Sequence, residues 1–96
     1  MSSNKLGSSG KMLEIDLVAT APPFDFETVF RAAYPNTGVR SFISRAIVSL
    51  DGPGTLVFKD GEGDSVTLTL LDHEVNEVEA VGIVSNSGVT KIRVLL

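Results

Sequence analysis

Residues 55–71 read TLVFKDGEGDSVTLTLL, and this stretch decides the fold class. Two runs rich in Val, Leu and Thr flank DGEGD, residues 60–64, whose glycines and short acids are turn formers. In the second run Val66, Leu68 and Leu70 alternate with Ser65, Thr67 and Thr69. A period of two puts the aliphatic residues on one face of a pleated strand and the hydroxyls on the other. The stretch therefore predicts a β-hairpin.

The same punctuation continues on both sides. Upstream, residues 12–20 (MLEIDLVAT) set Leu13, Ile15 and Leu17 against Glu14 and Asp16, the alternation of a half-buried strand. Ala21-Pro22-Pro23 ends it, because proline has no N–H for a ladder. In PFDFETVFRAAYP, residues 23–35, Phe26, Val29, Phe30 and Ala33 fall at helical spacing, with Asp25 placed to cap and Tyr34-Pro35 to terminate. A helix of about two turns cannot stand alone, so its Phe pair must dock on a sheet.

After the Pro35–Gly38 turn, VRSFISRAIVSL predicts a long strand, with Phe42, Ala46 and Val48 directed to the core and Ile43 and Ile47 to the opposite face. Apolar residues on both faces imply a central strand or a subunit contact. Downstream come VEAVGIV, with Gly82 as an expected bulge, a Ser85–Gly88 turn, and VTKIRVLL. The prediction is an all-β protein: a small antiparallel β-sandwich or barrel of about six strands with one short helix. Its expected core is Leu13, Ile15, Leu17, Phe42, Val48, Leu56, Phe58, Val66, Leu68, Leu70, Ile92 and Val94, plugged by Phe26 or Phe30.

Ninety-six residues suffice for one domain. Residues 1–11 (MSSNKLGSSGK) have the composition of a flexible, extended N-terminal arm and lack the apolar stretch of a secretory signal, leaving residues 12–96 as the β-domain. The net charge is -4 and no Lys/Arg run offsets it, which disfavours a nucleic-acid partner. No stretch is apolar for long enough to cross a bilayer, so no membrane partner is expected. The absence of cysteine removes thiolate metal sites and thiol nucleophiles.

Two clusters invite a chemical reading. His73, the one histidine, lies between Asp72 and Glu74, but adjacent residues of a strand point to opposite faces and cannot converge on one ion. The expectation is a solvated crossing between strands. DGEGD resembles the start of a calcium loop, yet residue 65 is Ser and residue 71 is Leu where that loop needs glycine and a bidentate glutamate. The expectation there is a soluble turn. With the lone histidine of a triad placed in that crossing, no second histidine for a zinc set, and glycines confined to turns, no catalytic, cofactor or metal residue is assigned and the chain is read as non-enzymatic.

The surface signals concern assembly instead. The last strand ends on Leu95 and Leu96, so both its faces finish apolar, and as an exposed edge it would invite association. Burial against another copy and cover by the helix are both open solutions. The expected assembly contacts are Asn4 and Leu6 in the arm, and Met12, Ile43, Ile47, Leu95 and Leu96 in the β-domain.

Residues 45–96 carry a further rhythm: an Arg-led strand, Gly54-Thr55-Leu56-Val57, a hairpin from Asp60-Gly61 to Val66-Thr67-Leu68, and Gly88-Val89-Thr90 with Ile92 and Leu95. This half of the chain resembles a small β-module of tailed-phage virions, found in bases of head spikes and in capsid decoration proteins. It departs from that pattern at His73-Glu74-Val75, where the family carries Pro-x-Gly, and at Val89, where threonine is common. The resemblance implies a structural virion protein, foremost a capsid decoration (cement) protein on the outer capsid surface. It would be a homotrimer, with the major capsid protein or another virion protein as partner. A base or adaptor for a spike or tail fibre is the alternative. A carbohydrate- or peptide-binding β-sandwich is more distant, since a chain without Trp offers a poor sugar platform.

Overall fold

The structure, a computed structural model, describes residues 11–96. In chain order it contains β1 (Met12–Asp16), β2 (Phe24–Asp25), α1 (Phe26–Ala33), β3 (Ala46–Ser49), β4 (Gly54–Asp60), β5 (Ser65–Leu70), β6 (Val75–Asn76), β7 (Ala80–Ser87) and β8 (Lys91–Leu95). The strands form two four-stranded sheets, β1-β8-β3-β6 and β2-β7-β4-β5, with antiparallel pairing between neighbours. The sheets stay separate, so the protein is an all-β sandwich rather than a barrel. The two strands beyond the expected six are the two-residue β2 and β6, too short to leave a period in the sequence.

The β4–β5 hairpin forms where DGEGD places it. Gly63 N–H donates to the Asp60 carbonyl (3.1 Å), and Asp60 N–H donates to the Asp64 carbonyl (2.9 Å). Gly63 adopts a φ of +89°, open to glycine at no steric cost, so the loop is a tight turn closed by a glycine bulge.

Ile15, Ile47, Ile92 and Val94 from the first sheet meet Leu56, Phe58, Leu70 and Ile83 from the second, all buried. Helix α1 closes one end of this layer. Asp25 caps it by accepting the Thr28 N–H at 2.9 Å, and Tyr34, the residue before Pro35, ends it. Phe26 and Phe30 are both fully buried, so both plug the sandwich. Their rings lie 6.3 Å apart, and the Phe30 ring also meets Tyr34 at 6.3 Å and Phe42 at 6.5 Å.

Three expectations about strands are corrected. The strand predicted over 39–50 is confined to Ala46–Ser49. Ahead of it, Ser44 N–H bonds the Ala80 carbonyl of the other sheet (2.8 Å), while Arg45 N–H bonds Leu95 (2.8 Å). The chain is crossing between sheets there, and the crossing breaks the alternation. Phe42 and Ile47 consequently share the inner layer, while Ala46 and Val48, beside Leu95 and Arg93, lie on the other face of the strand and are buried there as well. Val66, expected in the core, is 38% exposed, on an edge strand beside the hairpin turn. Gly82 is not itself the bulge. The register slips at Val84 and Val81 on either side of it, and a Cβ at Gly82 would lie 2.5 Å from the Phe24 carbonyl, so glycine permits β2 to approach.

Two substitutions separate packing from polar satisfaction. Phe30→Ala should cost about 3–5 kcal/mol, the range for emptying a buried aromatic site. The Ser44 hydroxyl, buried, donates to the Val78 carbonyl (2.7 Å) and accepts the Ala80 N–H (2.9 Å). Ser44→Ala strands that N–H and should cost about 1–3 kcal/mol, both values read from urea unfolding at neutral pH.

Candidate interaction surface

Of the seven residues expected at assembly contacts, Asn4 and Leu6 lie outside the described residues. So does the arm read over residues 1–11, except Lys11, whose carbonyl accepts the Leu96 N–H at 3.0 Å. Ile47 and Leu96 are 0% and 3% exposed, buried in this chain's own core. The reason is topological. β8 is not an edge but lies between β1 and β3, so its inward residues are covered by the opposite sheet and its ladder groups are paired on both sides. The exposed-edge argument for Leu96 therefore fails.

Met12 and Leu95 fare differently, for the β1–β8 register sets them directly opposite each other, with Ala46 on the far side of Leu95. Their neighbours Leu13, Val94 and Ile47 point inward, so this row is on the outer face of the sheet. The equivalent row two residues along runs Glu14, Arg93, Val48 and Val75. Met12 is 44% and Val75 62% exposed, and an ion pair from Arg93 to Glu14 (2.6 Å) stands between them. Ala46 and Val48 are buried, so the apolar surface of this face is Met12 with the half-buried Leu95 on one side of the charge pair and Val75 on the other. The sequence named Met12 and Leu95 as candidates but not Val75, which sits in a two-residue strand inside an acidic stretch. Ile43, also exposed, is apart from these residues, beside a groove with Asp25, Glu27 and Val81.

The polar clusters serve the backbone. Asp60 Oδ1 accepts the N–H groups of Glu62 and Asp64, each at 2.9 Å, which holds the hairpin turn. Asp16 accepts the Val18 N–H (2.9 Å) at the end of β1. His73 takes a left-handed φ of 60°, and its Nδ1 lies 2.7 Å from Asp72 Oδ1, both side chains exposed. His73 N–H donates to the Ser49 carbonyl (2.9 Å), tying the crossing to the end of β3. Among the described residues no three His, Asp or Glu side chains gather where they could hold a metal ion. Because the Asp60 carboxylate already accepts two amides, EDTA should leave the melting temperature within about one degree, whereas a tightly bound ion would shift it by several.

Asp51 makes the widest of these networks. It accepts the N–H groups of Thr90 (3.1 Å) and Lys91 (3.2 Å) and the Thr90 hydroxyl, joining the β3–β4 turn to the start of β8. The Thr90 hydroxyl, foremost, holds the Asp51 carboxyl below its ordinary value of 3.8. Asp25 is lowered too, chiefly by the Thr28 side chain. A carboxyl lowered by folding contributes stability that is complete above its unfolded value and drains away as the pH falls through the folded one. Asp51→Ala should therefore lower the melting temperature at pH 7, and the gap from the unmodified protein should narrow as the pH falls below the carboxyl's ordinary 3.8.

Two open clefts complete the surface. One, of about 310 Å³, lies along β2 and β7 and is lined by Phe24, Lys59, Val81 and Ile83 among others. The second, of about 340 Å³, separates β1 from α1, between Leu13, Ile15, Val29 and Ala33. The first is also lined by Asp25, and the second by Glu14, Asp16 and Thr20. No match to this chain is found among protein-family models, curated proteins or solved structures.

Proposed function

We propose that this protein is a non-enzymatic structural component of a phage virion, a decoration protein that binds the outer capsid surface as a homo-oligomer and contacts the major capsid protein. The observation that carries this reading is the Met12–Leu95 pair on the outer face of the first sheet, directly following the arm in the chain. An apolar pair at the root of a Ser/Gly-rich arm suits a surface that lies on a broad partner, with each arm adding contacts from Asn4 and Leu6. Several weak contacts per oligomer would combine into avidity. The resemblance of residues 45–96 to virion β-modules supports the same reading, as does the use of Asp16, Asp25, Asp51 and Asp60 as backbone acceptors.

Co-sedimentation with undecorated capsids tests it. Deleting residues 2–11, or replacing Met12 and Leu95 by serine, should leave the circular dichroism of the β-domain intact. Each change should weaken capsid binding about tenfold, the effect of losing about 1.4 kcal/mol of contact. Binding equal to that of the unmodified protein in both variants would overturn the reading.

A further inference from the structure

Each sheet of a sandwich has two edges, and an uncovered edge is a template for another strand. Three of the four edges here are defended. β1 has Tyr34 beside it, donating its hydroxyl to the Met12 carbonyl (2.5 Å), and carries Glu14 and Asp16. β2 is two residues long and follows Pro22 and Pro23, which have no N–H to offer. β6 is also two residues long, and lies between Glu74 and Glu77. β5 has none of these devices. Its six residues, SVTLTL, include no charge and no proline, and its pairing with β4 runs without a register slip.

The register also shows which backbone groups β5 leaves open. The hydrogen bond from Asp60 to Asp64 marks that pair as a bonded one, and bonded pairs recur at every second position of an antiparallel ladder. Val66, Leu68 and Leu70 therefore bond β4, and Ser65, Thr67 and Thr69 direct their N–H and C=O groups outward. On the inner face of the same strand, cover falls from the fully buried Leu70 through the half-buried Leu68 to the exposed Val66.

We propose that β5 is a self-association edge, pairing antiparallel with β5 of a second copy about a two-fold axis at Thr67 and joining the two β2-β7-β4-β5 sheets into one of eight strands. A second copy is the occupant that the charges favour. In a chain of net charge -4, the uncharged β5 meets an uncharged strand when it meets itself. The axis at Thr67 sets Val66 against Leu68 of the second copy, covering the one exposed aliphatic residue of β5, and sets Asp64 against Leu70. The alternative axis at Leu68 would set Val66 against Leu70, which is already fully buried and has no surface left to share. The cover of Val66 thus selects the register, and the uncharged strand the partner. The contact is isologous, so its product is a dimer; a ring of three would need β5 to pair with a different edge, and those are the defended ones. This inference is independent of the virion reading.

The test uses the full chain, which has no cysteine of its own. Light scattering over a dilution series should show a monomer–dimer equilibrium. Val66→Lys, at an exposed position, should abolish the dimer with the fold retained. Thr67→Pro should do the same, since it removes an outward N–H and no bond to β4. Bonded antiparallel partners lie about 5.5 Å apart between Cα atoms, within disulfide reach. Thr67→Cys should therefore give a covalent dimer on mild oxidation. Ser65→Cys alone should not, but should cross-link when mixed with Thr69→Cys. A monomer at all concentrations, a trimer, a dimer that survives Val66→Lys, or cross-linking of Ser65→Cys with itself in preference to Thr67→Cys would each overturn the proposal.

Discussion

β8 is the strand on which the rest of the molecule depends. It pairs with β1 on one side, Met12 opposite Leu95, and with β3 on the other, Ala46 opposite Leu95. Both pairings join segments far apart in the chain, so the ordering cost of closing those loops precedes the reward of the core. That reward comes in one step, because Ile92 and Val94 bring Ile15 and Ile47 with them into the layer between the sheets. The Asp51–Thr90 network acts at the start of the same strand, where it fixes the entry of the chain into β8. A fold whose central strand comes last in the sequence should be rich in non-local contacts and correspondingly slow to form.

Cover over the sandwich is uneven, and this unevenness shapes the surface. At one end α1 lays Phe26 and Phe30 over the gap between the sheets, and Phe42 and Tyr34 extend the aromatic cluster outward. The hairpin tip lies at this same end, since Asp25 pairs with Gly82 and Gly82 with Lys59 beside the turn, but β5 is the far edge of its sheet from β2. Burial along the inner side of β5 declines towards Val66, and the apolar residue left outside belongs to an edge strand.

The acidic residues have work that composition alone does not reveal. Net negative charge suggests solubility and little more. In place, Asp16, Asp25, Asp51 and Asp60 each accept backbone N–H groups at a turn or helix start, where the chain leaves its regular ladder. Such groups must be satisfied somewhere, and a short carboxylate is the local means of doing so. Another charged pair, Glu14 with Arg93, divides the apolar residues on the outer face of the β1-β8-β3-β6 sheet.

Local chemistry was legible wherever it was self-contained. The hairpin over 55–71, the β1 alternation, the helix with its Asp25 cap and its end before Pro35, and the all-β class follow from turn chemistry and period, which act over a few residues. Met12 and Leu95 could be named as surface apolar residues for the same reason. What only the tertiary structure decided is which strands are neighbours. The sequence does not tell that β8 is central, so Leu96 and Ile47 looked like free contacts and are core; nor that the chain crosses between sheets at Ser44, which turns Ile47 inward and Val48 outward. It does not tell that Val66 is exposed while Leu70, four residues on, is sealed. A period of two determines that a strand has two faces; only long-range pairing determines what, if anything, lies against each of them.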